Sequence, residues 1–266
     1  MLDVDSLAAR PADPLRPLRY LLRLPLLAFH LLINLPLTLL AINPLFARIT
    51  VGGERWDHRT IRWWSGGLMR VFGFRVRRVG TPLSGACFVV ANHASWLDIE
   101  LVHSQRMVHF VAKSEISRWP LVGWLASRAG TIYHKRGSTE SLGTVSDIML
   151  ERLKQGYAVA VFAEGGTAPT LRVRTFHARV FQTPRDARVP IQPVGLNYLR
   201  GGLPDPSVCF KDGESFFGNF WRLLGDPGKL AEVHFLDPII DSGEGGRREL
   251  AIAARGAILK ALKQDG

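Results

Sequence analysis

Cysteine is scarce in this sequence, and no segment of it is repetitive or of low complexity. The chain of 266 residues has two cysteines, Cys87 and Cys209, which lie far apart and outside any metal-ligand spacing. This count excludes a disulfide-rich scaffold and a cysteine-based zinc module, and it predicts free thiols in a reducing compartment. With 47% hydrophobic residues, the chain can form one large domain, or one domain with an appendage.

Acidic residues are also comparatively few. The sequence has 23 Asp and Glu against 34 Lys and Arg, which gives a formal net charge of +11. A charge of this sign favours anionic partners, namely nucleic acid, anionic lipid surfaces or phosphorylated substrates. No nucleic-acid recognition motif is present, and arginines in segments that suit a membrane surface are better explained by lipid. We therefore expect membrane lipid, and not nucleic acid, as the partner.

Formal charge is absent altogether between residues 24 and 47, where leucine dominates. The run exceeds the ~18 uncharged residues at which a membrane-spanning helix becomes plausible. The residues that interrupt it are Pro25, His30, Asn34, Pro36 and Pro44. The pattern predicts either one kinked spanning helix or a helical hairpin that dips into one leaflet. A cleaved signal peptide fits poorly, because the run is too long and no small-residue cleavage site follows it. A buried core helix is the remaining alternative.

Basic residues flank this run. Arg10, Arg16, Arg19 and Arg23 precede it, which predicts that its N-terminal side faces the cytoplasm. Residues 56–72 then mix tryptophans with arginines, as expected of an amphipathic helix at a membrane interface or of an ordinary helix packed on the domain. We predict that residues 1–72 form membrane-anchoring helices and that residues 73–266 form the main domain.

Strand and helix patterns alternate after residue 72. Short apolar or alternating runs predict strands at residues 74–79, 87–91, 108–112, 158–163, 189–198 and 231–236. One helical pattern ends near Gly156, and another occupies residues 247–263. The alternation predicts an α/β fold: a mixed, largely parallel sheet flanked by helices, with an N-terminal membrane-associated helical segment.

The most informative motif follows the second predicted strand. Residues 91–98 read ANHASWLD, so that a histidine and an aspartate stand five positions apart after an apolar run. Five residues of continuous helix turn by about 500°, so the two side chains meet only if His93 lies in a turn and Asp98 in the first turn of a helix. Ser95 supports this geometry as an N-cap, with the helix starting at Trp96 and Asp98 as its third residue.

Two interpretations of this motif are open at this point. In the first, Asp98 only caps the helix and His93 is a loop histidine. In the second, His93 is a general base that takes the proton from a substrate hydroxyl as its oxygen attacks a thioester carbonyl. Asp98 then holds the ring in one tautomer and stabilises the imidazolium. No protein serine is needed as nucleophile, because the substrate supplies its own hydroxyl.

Two further segments carry weaker signals. Residues 162–167, FAEGGT, follow another strand, where glycines let backbone N–H groups approach an anion, although such a pair is commonly just a turn. Residues 113–136 end in an arginine, whose planar guanidinium suits phosphate, although a loop arginine is normally solvated.

Together these segments resemble the four sequence blocks of the 1-acylglycerol-3-phosphate acyltransferase family, the PlsC-like glycerolipid acyltransferases. NHASWLD resembles the family's NHxxxxD box, and residues 113–136 resemble its second block, a Lys-x-Glu followed by Pro, Gly, Gly and a late Arg. FAEGGT resembles the FPEGT block, and VPIQPVG, with Pro193, resembles the fourth block. The four occur in the family's order between residues 92 and 195.

The resemblance implies an acyltransferase on the cytoplasmic face of the inner (plasma) membrane. Such an enzyme moves an acyl group from acyl-CoA or acyl-carrier protein to a lysophospholipid, with lysophosphatidic acid as the expected acceptor. His93 is then the catalytic base, Asp98 its partner, and Arg136 the contact for the acceptor phosphate. The resemblance also assigns Asn92, Ser95, Lys113, Glu164, Gly165, Gly166 and Thr167 to substrate binding. It implies no metal and no bound cofactor.

The third block departs from the family's pattern. The departures are Ala163 for proline, Gly166 ahead of Thr167, and Ala168 and Pro169 for the usual arginine and serine. Arg172 and Arg174 follow soon after and are candidates to supply the missing charge. We therefore keep a lyso-ornithine lipid or another lyso-aminolipid as the alternative acceptor. A non-catalytic lipid-binding or scaffold protein is the alternative to an enzyme.

Overall fold

The computed structural model describes residues 13–47, 49–119, 122–135 and 139–264. Its first part is helical: α1 (Arg16–Phe29), a π-type stretch (His30–Asn34) and α2 (Leu35–Ala41) make one continuous helical segment, Arg16–Ala41, of 26 residues. We call this the N-terminal helical segment. A short helix α3 (Pro44–Ala47) and a hairpin of β1 (Thr50–Val51) and β2 (Glu54–Arg55) lead into α4 (Trp56–Val71).

The remaining elements alternate between strands and helices. The strands are β3 (Phe74–Val79), β4 (Phe88–Ala91), β5 (His109–Lys113), β6 (Ile132–His134), β7 (Val159–Phe162), β8 (Ile191–Arg200), β9 (Leu203–Pro204) and β10 (Lys229–Phe235). The helices are α5 (Leu97–His103), α6 (Val122–Arg128), α7 (Thr139–Lys154), α8 (Gln182–Ala187), α9 (Phe216–Gly225) and α10 (Arg247–Leu262). Short 3₁₀ turns cover Ser114–Arg118, Ala178–Phe181 and Pro206–Val208. The six predicted strands and the C-terminal helix are present within two residues of their predicted ends.

The strands form one mixed sheet in the order β3-β10-β8-β4-β7-β5-β6, with β9 paired to β8. The five strands from β8 to β6 run parallel, whereas β10 and β3 are parallel to each other and antiparallel to β8. The predicted mixed, largely parallel sheet is thereby confirmed. Because β4, β5 and β7 are parallel, their carboxyl ends lie at the same edge of the sheet, which we call the carboxyl edge.

Helices cover both faces of this sheet. On β4, Val89 and Ala91 face a core shared with α4, α5 and α9, whereas Phe88 and Val90 face a second core shared with α7 and α10. Burial of a valine or phenylalanine side chain, such as those of Phe88, Val89 and Val90, contributes roughly 1.5–3 kcal/mol of transfer free energy. The two cores therefore hold β4 and its carboxyl end in place. Both cysteines are free and buried, as predicted.

Three arginines fasten the N-terminal helical segment to α9. Arg16, Arg19 and Arg23 donate hydrogen bonds of 2.8–3.3 Å to backbone carbonyl groups between residues 222 and 226. The end of a helix presents unpaired carbonyl groups and a partial negative charge, which cations stabilise. These three charges are paired with backbone groups of the protein, and the cytoplasmic orientation of the segment stays a prediction. Arg10 lies outside the described residues.

The opposite side of this segment is apolar and exposed. Its most apolar window of 18 residues has a mean hydropathy of 1.9, and 22% of that window is buried. Leu21 and Leu32 are 70% and 72% exposed. A core helix of a soluble protein would be mostly buried, so that alternative is wrong for this segment. The side that does face the protein carries Leu27, His30, Leu35 and Thr38.

The π-type stretch has a cause in the sequence. Pro36 cannot donate to the carbonyl group four residues before it, and wide turns relieve such positions. The stretch carries His30, whose buried ring stacks on Trp64 of α4 at 5.1 Å. Gly67 permits this approach, because a Cβ atom there would lie 2.7 Å from the His30 ring. The segment therefore lies along α4 and does not project away from the domain.

The helical part before residue 72 and the sheet share one hydrophobic core. Leu27 of α1, with Leu68 and Met69 of α4, belongs to the same buried cluster as the apolar residues of β4 and β8. The helices before residue 72 therefore do not have a hydrophobic core separate from that of the sheet. That residues 1–72 are the part of the chain that contacts the membrane remains a prediction.

Glu100 of α5 gives a test of the packing between α4 and α5. Its Oε2 atom is buried without a hydrogen-bond partner among the described residues. Burial raises the pKa of the carboxyl group to about 7, and the side chain of Ser65 opposes part of that rise. The folded protein therefore keeps a proton that the unfolded chain loses above its ordinary pKa of 4.5. Stability from this group is complete below pH 4.5 and is lost as pH rises through about 7.

We expect Glu100→Gln to remove that loss. Unfolding by urea in detergent should give equal stabilities for the variant and the native protein near pH 5. Near pH 8 the variant should be more stable, by at most about 3 kcal/mol. Glu151→Gln, at an exposed position of α7, is the control and should behave like the native protein at both pH values. An unchanged pH dependence in Glu100→Gln would contradict the assignment.

Candidate active site

His93 lies at the carboxyl edge, in the turn between β4 and α5. Its ring stacks on that of Phe162, the last residue of β7, with centroids 3.8 Å apart and planes 8° from parallel. The stacked ring leaves the histidine side chain 15% exposed. The end of the neighbouring parallel strand thus holds one face of the imidazole, and the exposed part of the ring is open to a substrate.

Asp98 is the hydrogen-bond acceptor at the centre of this turn. The carboxylate is fully buried, and its Oδ2 atom lies 2.8 Å from Nδ1 of His93. The same oxygen accepts the backbone N–H groups of Ala94 at 2.7 Å and Ser95 at 2.8 Å. Oδ1 accepts the hydroxyl of Tyr198 at 2.6 Å. Burial and the neighbouring carboxylate raise the pKa of Tyr198 well above its ordinary value, so the phenol stays protonated and donates.

This set of partners fixes the tautomer of His93. Two backbone amides and a phenol can only donate here, which makes the Asp98 carboxylate an acceptor on both oxygens. His93 therefore donates through Nδ1, and the lone pair of the neutral ring lies on Nε2. Among the described residues, none forms a hydrogen bond with Nε2. The arrangement can therefore take a proton from a group that approaches the open side of the ring.

Ser95 lies just before α5, but it is not the N-cap that the sequence predicts: that position is Trp96, which forms no side-chain cap hydrogen bond. The Oγ atom of Ser95 accepts the N–H of Leu97 at 3.4 Å, while Asp98 reaches back to the N–H of Ser95. The helix begins at Leu97, one residue after the predicted start at Trp96. Asp98 therefore ties together the turn that precedes the helix and holds His93 at once, so a structural role and a catalytic role are compatible. Ser95 is fully buried, which favours a role in positioning over the expected contact with substrate.

Glu164 connects the third block to the histidine turn. Its buried carboxylate accepts the backbone N–H of His93 at 3.1 Å and pairs with Nε of Arg174 at 3.1 Å. Burial raises the pKa of Glu164, and Arg174 and the His93 amide oppose that rise. Arg174 also donates to the carbonyl oxygen of Gly166. Glu164 thus positions His93, and Arg174, which is 40% exposed, places a positive charge beside this block.

The other expected site residues occupy different positions. Asn92 is buried and exchanges two hydrogen bonds with the backbone of Leu196, at 2.7 and 2.9 Å, which favours a positioning role. Lys113 is exposed at the end of β5. Gly165, with φ of +76°, is exposed, whereas Gly166 and Thr167 are half-buried. Arg136 lies outside the described residues. His93, Glu164 and Lys113 accordingly share the carboxyl edge.

Glycine is required at the turn of the third block. Gly165 has a left-handed backbone, and a Cβ atom there would lie 2.8 Å from Nε2 of His177. Its own N–H donates to the carbonyl of Phe162 at 3.2 Å, so this amide is not available to a substrate anion. The next backbone N–H groups along the block are those of Gly166 and Thr167.

An aromatic patch beside the histidine turn was missed by the sequence reasoning. Trp96 lies between His93 and Asp98 in the chain, and its indole N–H donates to Asn219 of α9 at 3.0 Å. The rings that pack around it are those of Phe72, Phe216 and Phe220, and Trp119 extends the set through Phe216. Phe217 and Trp221 on the same helix are 64% and 48% exposed. We call these rings the aromatic patch.

Metal ligation was not expected from the sequence. Within the described ranges, no three His, Cys, Asp or Glu side chains are grouped so that they could hold a metal ion. The His93–Asp98–Tyr198 hydrogen-bond chain is an arrangement that suits general-base chemistry.

Comparison with known proteins gives the same family as the four blocks. The Acyltransferase family model matches residues 74–197. A lyso-ornithine lipid O-acyltransferase of Pseudomonas aeruginosa is 36% identical over 204 residues, which cover 77% of this chain and 78% of that protein. A lyso-ornithine lipid O-acyltransferase of Rhodobacter capsulatus is 30% identical over 209 residues, or 73% and 72% of the two chains.

Two further similar proteins are named for a different acceptor. A 1-acyl-sn-glycerol-3-phosphate acyltransferase of Neisseria gonorrhoeae is 33% identical over 126 residues, covering 47% of this chain and 49% of the relative. The crystal structure of the 1-acyl-sn-glycerophosphate acyltransferase PlsC from Thermotoga maritima has the same fold, with a TM-score of 0.69 at 20% identity over 93% and 96% of the chains. The match to the family model, the relative that is 36% identical and the shared fold agree: this chain belongs to the Acyltransferase family.

Proposed function

We propose that the protein transfers a fatty acyl group from a thioester to the hydroxyl of a lyso-ornithine lipid. The observation that carries this acceptor is the similarity to lyso-ornithine lipid O-acyltransferases over about three quarters of both chains. The sequence blocks alone favoured lysophosphatidic acid. The departures in the third block, around the Glu164–Arg174 pair, are the feature that sets this chain apart from that pattern.

The reaction follows from the orientation of His93. The proton of the acceptor hydroxyl moves to Nε2 while the oxygen bonds to the thioester carbonyl carbon. Asp98 stabilises the imidazolium through the Nδ1 hydrogen bond of 2.8 Å. The tetrahedral intermediate then expels the thiolate, and the proton on Nε2 passes to the leaving sulfur. Neither acyl-CoA nor acyl-carrier protein is favoured as the donor by any described residue.

The aromatic patch suits the hydrocarbon part of the substrates. It adjoins the histidine turn through Trp96 and continues to the exposed rings of Phe217 and Trp221. Aromatic rings bury a large apolar area, and Trp and Tyr are common where protein meets the membrane interface. We assign the patch to the acyl chains, which leaves the polar edge around Lys113 and Arg174 for the head group.

Membrane attachment is proposed to be one-sided. The N-terminal helical segment is about 39 Å long at 1.5 Å per residue. It stays against α9 and α4 from Arg23 to Thr38, so a full span would draw the domain into the bilayer. We infer that the exposed leucine face enters one leaflet and that the domain remains outside.

Lysophosphatidic acid is the second candidate acceptor. The Neisseria relative supports it over the region that contains the four blocks. The test is to purify the full chain in detergent and offer both acceptors, separately and in competition, with labelled acyl-CoA and acyl-carrier protein. We expect acylated ornithine lipid as the main product and none with His93→Ala. Exclusive formation of phosphatidic acid would overturn the proposed acceptor and favour the second candidate.

Arg136 separates the two acceptors. We expect Arg136→Ala to raise the KM for lysophosphatidic acid by about ten- to a hundred-and-fifty-fold, the worth of one charge-assisted phosphate contact. The KM values for the donor and for lyso-ornithine lipid should change little, because neither depends on that phosphate contact. Arg248→Ala, at an exposed position of α10 away from the four blocks, is the matched control. Equal effects of both variants on every substrate would remove Arg136 from the site.

A further inference from the structure

A groove with a basic lining lies between α4 and the edge strand β3. Its volume is about 660 Å³, within the range of small-molecule sites. The charged side chains that line it are Arg59, Arg62 and Arg70 of α4 and Arg75 of β3. No residue assigned above to the candidate active site lines the groove. It is therefore a separate feature of the surface.

The spacing along α4 explains the shape of the groove. Arg59, Arg62, Gly66 and Arg70 are three or four residues apart, so they share one face of the helix. Gly66 has no side chain and leaves the middle of that face low, with only Ser104 within 4 Å of where a Cβ atom would lie. The arginines therefore surround a hollow, to which β3 adds a second wall.

Three of the four guanidinium groups have no partner among the residues that the structure describes. Arg62 pairs with Glu54 at 2.7 Å. The side chains of Arg59, Arg70 and Arg75 form no hydrogen bond or ion pair with another described residue, and none of the lining residues is acidic. Like charges gathered in a concave site repel one another, and a bound anion relieves that repulsion. A planar guanidinium group can donate to two oxygens of a phosphate at once, which makes arginine well suited to bind it.

The surroundings of the groove indicate where such an anion comes from. Trp63, 51% exposed, lines the groove, and tryptophan is enriched at the level of lipid head groups. α4 also packs against α2 and α3, which carry the exposed side chains of Leu40 and Leu45. If these side chains enter one leaflet, as proposed above, the groove opens at the membrane surface.

We propose that this groove binds the phosphate of an anionic phospholipid head group, with Arg59, Arg70 and Arg75 as its ligands. The inference rests on the one-sided membrane attachment and is independent of the acceptor. The bound lipid is a component of the bilayer and not a substrate. It orients the domain on anionic membranes, whereas the leucine face holds the domain on any bilayer.

The experiment compares vesicles of phosphatidylcholine alone with vesicles that also contain phosphatidylglycerol. The full chain is tested as the native protein, as the triple variant Arg59→Ala/Arg70→Ala/Arg75→Ala, and as the control Arg179→Ala/Arg247→Ala/Arg248→Ala. The control removes the same charge from exposed positions elsewhere. The preference is the affinity for vesicles with phosphatidylglycerol divided by the affinity for vesicles of phosphatidylcholine alone. We expect this ratio to fall by on the order of a hundredfold in the groove variant, and by a few-fold at most in the control. Activity on detergent-solubilised substrates should be unchanged in both.

The outcomes separate the groove from general charge and from the anchor. Equal losses in the groove variant and the control would overturn the proposal, as would a groove variant that keeps its preference. Failure of the native protein to bind phosphatidylcholine vesicles would instead contradict the one-sided attachment. Should the triple variant fold poorly, Arg75→Ala alone, at an exposed position of β3, should lose part of the preference and Arg75→Lys should recover some of it. A silent Arg75→Ala would also overturn the proposal.

Discussion

Replacement of His93 by alanine is expected to lower turnover by on the order of 10²–10⁴-fold, the usual worth of a general base. The ring supplies the lone pair on Nε2, and the described part of the chain offers no second imidazole that is hydrogen-bonded to a buried carboxylate at the carboxyl edge. The loss should fall on kcat, with little change in the KM of either substrate, because substrate binding does not depend on the proton transfer. Initial rates in detergent with saturating donor measure it.

The control for His93 is another histidine near the third block. His177 is exposed, and its side chain forms no hydrogen bond within the described residues. His177→Ala should keep near-native turnover, which separates the loss of a particular base from the loss of any nearby imidazole. Thermal unfolding of both variants should resemble that of the native protein, since His93 is a loop residue. Near-full activity in His93→Ala would remove the catalytic assignment.

Asp98→Asn is expected to cost roughly 10²–10³-fold in turnover while the fold is kept. The amide can place its oxygen toward the N–H groups of Ala94, Ser95 and His93, and its NH₂ group toward the hydroxyl oxygen of Tyr198. The ring orientation and the tautomer then survive. What is lost is the negative charge that stabilises the imidazolium, so the decrease in kcat measures that charge.

Tyr198→Phe provides the comparison for Asp98. This variant removes one hydrogen bond to Oδ1 and leaves the charge and the His93 contact in place, so a loss of about tenfold or less is expected. Steady-state rates of the two variants, measured with the same donor, test the order of the effects. A native rate in Asp98→Asn would contradict the assignment. A Tyr198→Phe loss as large as that of Asp98→Asn would show that ring orientation, and not charge, is the controlling factor.

Local spacing was sufficient to predict the geometry of His93 and Asp98. Both lie within one strand–turn–helix unit, so the helical period and a capping pattern place the two side chains without any knowledge of the tertiary fold. The other partners lie far away in the chain. Glu164 is 71 positions from His93, and Tyr198 is 100 positions from Asp98. Nothing local to a buried tyrosine in a strand indicates which carboxylate it will meet.

Helix α9 was not predicted for a different reason. Its sequence, FFGNFWRLLG, contains glycines and aromatic residues, which have modest or low helix propensity. Ser215 caps the helix by accepting the N–H of Gly218, and Leu223 and Leu224 bury its inner side. Tertiary packing therefore supplies the stability that intrinsic propensity lacks. The aromatic patch depends on this helix, so the sequence reasoning missed both together.

The arginines of the N-terminal helical segment were interpreted by a rule for free charges. That rule holds for residues that face solvent or lipid head groups beside a span. Arg16, Arg19 and Arg23 instead complete the end of α9, a helix that the sequence did not reveal. The cytoplasmic orientation of the segment therefore stays a prediction.

The contact between these arginines and α9 holds the proposed membrane anchor at a set angle to the domain. A tether would only raise the local concentration of enzyme at the bilayer, and any apolar helix could replace it. An anchor held in this way, as proposed, would also set the tilt at which the carboxyl edge and the aromatic patch meet the lipid surface. Exchange of this segment for an unrelated membrane helix should therefore preserve residence on the membrane and still lose the alignment between the histidine turn and the acyl chains in the leaflet.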